Sequence, residues 1–508
     1  MKNKLHKMVL IVGALVLIIY TVIIMQRHGF NIDELDWTLR LIDGKSWGEL
    51  FKELASYGYN LPLFYVIVKW MNGAFHQNKF MLLLPSAIMT VIGCYYIYKT
   101  SKEFFKVKFP LLTFFMVLSS AFFFKQIACS LRPYGLLFML SAMSYYYYFK
   151  KLYEDKFSYH VKFIMVVIGL LFTHWYGALV VLGYGMTDFY FLMKKKMKFR
   201  NFCLYIIPFT LILLWVIYVF KMHTITFTKY WADPVGILAI IMLLFELLSL
   251  NLFSIIILKI VLKHYKVKIE RVENDIKARV TLYEILGIAL GVILYSNIIN
   301  PKSSLWVNRY FIAFMPQIAI IVSFYLEKFY CLLSDEKVDE VNRYFMKLLV
   351  IINLFSSIIF TGYYSYLYPN ISSEMAYDKI FEELKKDKDI YEDNTLIICT
   401  YGKYWVKYHL FENNEKLPSN LLIIDPHKYG NTNSEDAKLS ELEYIIKDSK
   451  ECHEKFDDKE EIHYQKIYIM ELHRMLVDEE AEKIINLDDY KIDYDIDTSI
   501  VTLVRNED

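Results

Sequence analysis

Apolar runs of about twenty residues, the length that about 30 Å of hydrocarbon requires, recur along the first two thirds of this 508-residue chain. They fall near residues 8–25, 80–98, 109–128, 131–149, 160–174, 177–193, 202–220, 236–262, 280–297, 309–327 and 347–365, eleven in all. A chain that is 56% hydrophobic and 17% aromatic in this pattern is a polytopic membrane protein. The first run follows Lys2, Lys4 and Lys7 as in a signal peptide, but it is long and no small-residue cleavage site follows it, so it reads as a retained helix.

Cytoplasmic loops keep positive charge and translocated loops shed it, and the lysines obey this rule in alternation. "YKTSKEFFKVK", "KKLYEDK", "KKKMKFR" and "KHYKVKIERVENDIK" are assigned inside, with the N-terminus. The exception among the outer loops is the first, residues 26–79, which balances six bases against six acids and places Asp33, Glu34, Asp36 and Asp43 just beyond the first span. Its second half, "NLPLFYVIVKWMNGAFHQ", is apolar but short. It is expected to lie in the interface with Lys69 and Trp70 at headgroup depth.

Charge separates a second region. From Ser365 onward the chain has 34 acidic and 18 basic residues, whereas the remainder has 39 basic and 21 acidic. The expected division is a transmembrane domain over 1–365 and a small, acidic, soluble α/β domain over 366–508, which the odd number of spans puts outside. In the tail, "NTLIICTY", "NLLIID", "QKIYIMEL" and "TSIVTLV" read as short strands between charged helical stretches. "IDYDIDTS" begins like a calcium loop but has neither the glycine nor the bidentate glutamate, and reads as a strand edge. Six cysteines form no CxxC pair, and Walker, GxGxxG and HExxH motifs are absent. Redox, zinc and nucleotide-driven chemistry therefore lose their usual signatures, and no metal or other cofactor is expected.

Ionisable residues collect at the outer ends of the spans. Asp33 reads as a general base or as a capping acid of an amphipathic helix. Arg132 in "CSLRPYG" and Arg309 in "WVNRYF" read as phosphate contacts or as snorkelling interfacial charges. His174 in "THWYG" is a site residue or an interfacial hydrogen-bonder. The run "SYYYYF", 144–149, is most simply an aromatic belt at the opposite interface.

Four stretches in this order resemble the GT-C superfamily of lipid-linked-sugar glycosyltransferases, specifically the bacterial relatives of protein O-mannosyltransferases and of the lipid A aminoarabinose transferase. They are Asp33-Glu34 in the first outer loop with "YNLPLFYVIVKW" behind it, "FMLLLPSAIMTVIG", "IACSLRPYGLLFMLSAMSYYYYF" and "VNRYFIAFMPQIAII". The resemblance covers about residues 1–330. Two positions depart from the family pattern: Asn60 and Leu61 stand where a histidine or lysine and a proline are usual, and Leu83 stands where an arginine is usual.

The resemblance implies transfer of a sugar from a polyprenyl-phosphate carrier to a cell-envelope acceptor (glycan, lipid or protein) at the outer face, with inversion. It implies Asp33 as base, and Arg309 and Arg132, with Lys302 in reserve, as cations for the leaving phosphate. Glu34 and His174 would orient hydroxyls, Trp175 and Tyr176 would stack on a sugar, and Asn60, Tyr134 and Tyr310 complete the substrate-binding set. The setting it implies is a bacterial plasma membrane, with the lipid bilayer and no nucleic acid as partner. Alternatives are a polymerase or ligase using a lipid-linked oligosaccharide, a flippase or exporter of a lipid-linked glycan acting through Glu246 and Glu284, and a mere anchor for the tail.

Overall fold

The computed structural model describes residues 34–222, 235–248 and 276–335 apart from short breaks, a few residues near 21–25 and 256–264, and five strands between 395 and 505. The first and last expected spans, Asp33 and Lys302 lie wholly or largely outside the described residues. Two units divide the chain: residues 1–28 with 41–369, and residues 29–40 with 370–508.

The larger unit is helical. Its elements are α1 (Trp47–Tyr57), α2 (Pro62–Phe75), α3 (Lys79–Glu103), α4 (Leu111–Leu118), α5 (Tyr134–Glu154), α6 (Phe157–Leu171), α7 (Trp175–Met193), α8 (Ile206–Met222), α9 (Ile237–Leu248), α10 (Ile276–Leu294) and α11 (Met315–Asp335). A π-helical turn, Phe123–Ala128, precedes α5, and a 3-10 segment, Asn308–Phe314, leads into α11. Among the described residues, five stretches are long and apolar enough to cross a membrane: Lys79–Glu103, Trp175–Met193, Phe199–Met222, Ile276–Ile299 and Asn308–Phe329. Each coincides with an expected span.

The span expected over 109–128 is instead two pieces. Ser120 separates them, its hydroxyl turned away to donate to the Glu246 carbonyl at 2.9 Å; a serine that bonds elsewhere in this way offers the backbone an alternative to continuing the helix. The segment expected to lie in the interface forms helix α2, with Trp70 64% exposed. The Lys69 ammonium donates to the Ile42 carbonyl at 3.0 Å and to that of Lys45. It fastens the approach to α1.

Helix α5 is the axis of this unit, buried on nearly every side by α3, α6, α11 and the 3-10 segment. Pro133 stands at its start, where a missing N–H costs nothing. Asp155 ends it at φ +41. Close packing at its first turn requires Gly135, since a Cβ there would lie 2.8 Å from the Ile127 carbonyl oxygen. At the far end Lys151 and Asp188 form a fully enclosed pair at 2.5 Å. Tyr148 and Tyr205 donate to the same carboxylate at 2.9 and 2.8 Å, and the Phe163 ring lies 4.2 Å from the ammonium. The tyrosine run is therefore no simple belt: Tyr145, Tyr146 and Tyr148 are at most 3% exposed.

The smaller unit contains a five-stranded sheet in the order β2-β1-β3-β5-β4: β1 (Thr395–Cys399), β2 (Leu421–Ile423), β3 (Lys466–Met470), β4 (Tyr490–Asp495) and β5 (Ile500–Arg505). β1 runs parallel to β2 and β3, and β5 antiparallel to β3 and β4. The four segments read as strands are strands, and the aspartate-rich "IDYDIDTS" supplies most of the edge strand β4. Charge on an edge discourages pairing with other chains.

Candidate active site

Three elements meet at the start of α5, and each arrives there for a local reason. The turn 129–133 is fastened from α3, where Ser86 donates to the Ser130 carbonyl at 2.7 Å and Thr90 to that of Ile127 at 3.2 Å. Arg132 precedes a proline and so is kept out of a helix. It projects from the turn ahead of α5, half-buried.

The second element is the loop between α6 and α7. His174 is the N-cap of α7, and its Nδ1 accepts from the Tyr176 amide at 3.2 Å. Gly177 follows because a Cβ there would collide with the Leu170 carbonyl. The same loop is tied to α2, since the Leu63 amide donates to the Phe172 carbonyl at 3.0 Å. Half-buried Asn60 thus leads into a helix whose start is pinned two residues before His174.

The third element is the 3-10 segment, which carries Arg309 and Tyr310. Trp306 Nε1 donates to Asn308 Oδ1 at 2.9 Å, and Asn308 Nδ2 donates to Glu246 of α9 at 2.7 Å. From behind, Ser141 of α5 donates to the Ala313 carbonyl and is itself held by Gln317 at 3.2 Å. The Tyr176 hydroxyl closes the assembly by donating to the Leu305 carbonyl at 2.6 Å.

These elements bring six of the expected residues together. The His174 ring centre lies 4.6 Å from that of Tyr310, 5.9 Å from Tyr134 and 6.1 Å from Tyr176. The Arg309 guanidinium is 5.9 Å from the Tyr310 ring centre. Withdrawal from solvent, then the positive charges of Arg132 and Arg309, push the His174 pKa down to about 3. The imidazole is therefore neutral at physiological pH. With Nδ1 accepting, its proton is on Nε2, which makes the ring a hydrogen-bond donor beside two guanidinium groups.

Helices α5 and α7 both begin here, so their N-terminal partial charges add to the two arginines. Two forked cations, a neutral imidazole N–H and two helix N-termini suit one kind of ligand, an anion with several oxygens such as a phosphate. Trp175 stands apart: it is 37% exposed and shares no ring contact with the cluster among the described residues. Glu34 is fully buried and belongs to the unit formed by 29–40 and 370–508. Asn308, Trp306 and Ser86 escaped sequence reasoning. Only Asn308, adjacent to Arg309 in "WVNRYF", carried any signal. No group of histidine, cysteine or acidic side chains among the described residues is arranged to hold a metal.

No family model matches the sequence, and no curated relative does. Two solved structures share the fold over 98% of both chains, each at 10% identity. They are ArnT from Cupriavidus metallidurans bound to undecaprenyl phosphate, TM-score 0.58, and the same protein in the apo state, TM-score 0.60. The chain therefore has the fold of these ArnT structures, the fold that the sequence resemblance implied.

Proposed function

Proceeding from a GT-C fold with a phosphate-shaped cluster of cations, we propose that the protein transfers a sugar from a polyprenyl-phosphate donor to a cell-envelope acceptor at the outer face of a bacterial plasma membrane. The observation that carries the proposal is the convergence of Arg132, His174 and Arg309 at the N-termini of α5 and α7. A structural neighbour that binds undecaprenyl phosphate supports the donor class.

In this reading the donor's phosphate sits among Arg132, Arg309 and the Nε2–H of His174, and its prenyl chain lies against the exposed apolar surfaces of the helices. Asp33 removes the proton from an acceptor hydroxyl. The freed oxygen attacks the anomeric carbon from the side opposite the phosphate, the carbon–oxygen bond to phosphate breaks, and its electron pair goes to the phosphate oxygen. Inversion follows from that geometry. The cluster stabilises the charge that develops on the leaving oxygen. Tyr134, Tyr176 and Tyr310 give the sugar aromatic faces, with Asn60, Glu34, Trp175 and Lys302 as further substrate contacts.

The test is transfer of label from a panel of radiolabelled polyprenyl-phosphate sugars into the cell-envelope fraction. Membranes with wild-type protein are compared with membranes holding Asp33→Asn at equal abundance. Label from one donor with wild type only is expected. Transfer undiminished by Asp33→Asn removes that residue as base. No transfer from any single-sugar donor, with transfer from a lipid-linked oligosaccharide, assigns the polymerase or ligase alternative instead.

A further inference from the structure

Helix α5 runs about 30 Å from the phosphate cluster to its other end at 1.5 Å per residue, one hydrocarbon thickness away. That far end carries the tyrosine run. Successive helical side chains turn by about 100°, so four consecutive tyrosines cannot share a face. Tyr145 and Tyr148 turn inward, to Thr281 at 2.5 Å and to Asp188 at 2.9 Å. Tyr146 and Tyr147 turn toward α3, donating to Glu103 at 3.1 Å and meeting the Tyr96 hydroxyl at 3.1 Å respectively.

Lysines from three elements gather over these rings. Lys99 of α3 lies 4.7 Å from the Tyr146 ring centre, and Lys150 of α5 lies 5.8 Å from it and 5.5 Å from Tyr159. Lys162 of α6 lies 5.9 Å from Tyr147 and 5.7 Å from Tyr159, and Lys156 lies 5.8 Å from Tyr159. Lys102 covers Tyr98 at 5.7 Å. Three of the five ammonium groups share two carboxylates: Glu103 takes Lys150 at 3.3 Å and Lys99 at 3.9 Å, and Glu154 takes Lys150 at 2.5 Å and Lys156 at 3.1 Å. Among the described residues Lys102 and Lys162 have no ion pair, and both are exposed.

The same helices present exposed apolar side chains level with this patch and below it. On α6 these are Phe157, Val161 and Met165, 79, 43 and 65% exposed and spaced four apart on one face. On α3 they are Ile88, Ile92 and Tyr95, 51, 36 and 54% exposed. An excess of ammonium charge and tyrosine hydroxyls above apolar flanks matches a phosphodiester headgroup with acyl chains beneath it.

We propose that the Lys99, Lys102 and Lys162 patch over Tyr146, Tyr147 and Tyr159 is a binding site for an anionic phospholipid of the leaflet opposite the phosphate cluster. A zwitterionic lipid brings its own ammonium into the lysine field and is disfavoured. The site is independent of the proposed transfer reaction, and the tyrosine run, which plays no part in that reaction, supplies its floor.

The experiment is lipid retention by the purified full-length protein, equilibrated with vesicles of phosphatidylcholine and phosphatidylglycerol at 7:3 and measured by native mass spectrometry. Wild type is expected to retain phosphatidylglycerol preferentially. A Lys99→Gln/Lys162→Gln double variant is expected to lose roughly 25-fold in that preference, about 5-fold per lysine, with its melting temperature in detergent alone unchanged. A Lys194→Gln/Lys195→Gln variant at another basic loop is expected to keep it. Equal retention of both lipids by wild type, an equal loss in the two double variants, or displacement by millimolar inorganic phosphate as effective as by phosphatidylglycerol would each overturn the proposal. If the double variant fails to fold, single Lys162→Gln, which breaks no ion pair, carries the same test with a roughly 5-fold expected loss.

Discussion

Helix α5 has a charged cluster at each end, and the two are built in opposite ways. At the Tyr148 end, Lys151 and Asp188 neutralise each other, two tyrosines satisfy the remaining carboxylate positions, and both side chains are at most 3% exposed. At the Tyr134 end, Arg132 and Arg309 are half-buried, and they add to burial in keeping a proton off the histidine near them. The first cluster is complete within the protein. The second brings two guanidinium groups beside one imidazole at the starts of two helices. Enclosure separates the two: the ion pair is sealed from solvent, whereas both arginines stay half-buried at the ends of their elements.

The largest expected effect breaks the closed end. Lys151→Ala leaves the Asp188 carboxylate buried without its cation, a loss expected to destabilise by about 3 to 5 kcal/mol. Lys151→Met with Asp188→Leu removes both charges and is expected to recover most of it. Thermal unfolding in detergent distinguishes them; a single variant as stable as the double would show that the pair is solvated and the closure illusory.

At the open end the expected loss falls on binding and leaves stability alone. Arg309→Ala and Arg132→Ala are each expected to raise the donor KM by about 10- to 100-fold, with melting temperature within about 2 °C of wild type, because a charge-assisted contact to substrate is worth about 1.5 to 3 kcal/mol. Titration of the wild type with undecaprenyl phosphate should raise the melting temperature, and neither arginine variant should respond as strongly. A melting temperature lowered as far as by Lys151→Ala would make both ends structural.

Much of this contrast was written in the sequence, and some could not be. The lengths of apolar runs and the sorting of lysines among loops located the helices, since both follow from a solvent that accepts neither charge nor unpaired backbone. The order Arg132, His174, Arg309 was legible as a set of span ends. That they meet depends on Ser86, Thr90 and Ser141, whose bonds to carbonyls 172 and fewer residues away leave no local pattern. The tyrosine run was misread for a related reason: composition marks an interface, whereas facing is fixed by helical turn and by partners such as Thr281 and Asp188. Ser120 broke an expected span through a bond to α9, equally invisible along the chain.

The histidine sharpens the comparison through pH. The His174 pKa is about 3 in the fold and 6.5 ordinarily, so the folded protein resists a proton that the unfolded chain accepts. Its contribution to stability is complete above pH 6.5 and is lost as pH falls from 6.5 toward 3. The donor-dependent rate should accordingly show no acid limb near 6.5, and a histidine NMR titration should find one imidazole neutral at pH 5. Removing the positive charge with Arg132→Gln should raise that pKa. A His174 resonance that titrates at 6.5 would mean that the ring is neither withdrawn from solvent nor close to the two arginines.

The smallest effect belongs to the solvent-facing turn that ends α5, which tests whether exposure, more than partner number, decides what an ion pair contributes. Asp155 accepts from His160 at 2.9 Å, Asn201 at 3.1 Å and Lys198 at 3.3 Å, which hold its pKa down at about 2. Its side chain is 46% exposed, so water screens these bonds and their net contribution is expected to be under about 1 kcal/mol. That contribution is present above the ordinary value of 3.8 and lost as pH falls toward 2. Asp155→Asn keeps a residue that tolerates the left-handed backbone at φ +41 and removes the charge alone. It should lower the melting temperature by no more than about 3 °C. A drop as large as that of Lys151→Ala would show that the number of partners outweighs burial, and the contrast between the two ends of α5 would then have to be redrawn around hydrogen bonds in place of closure.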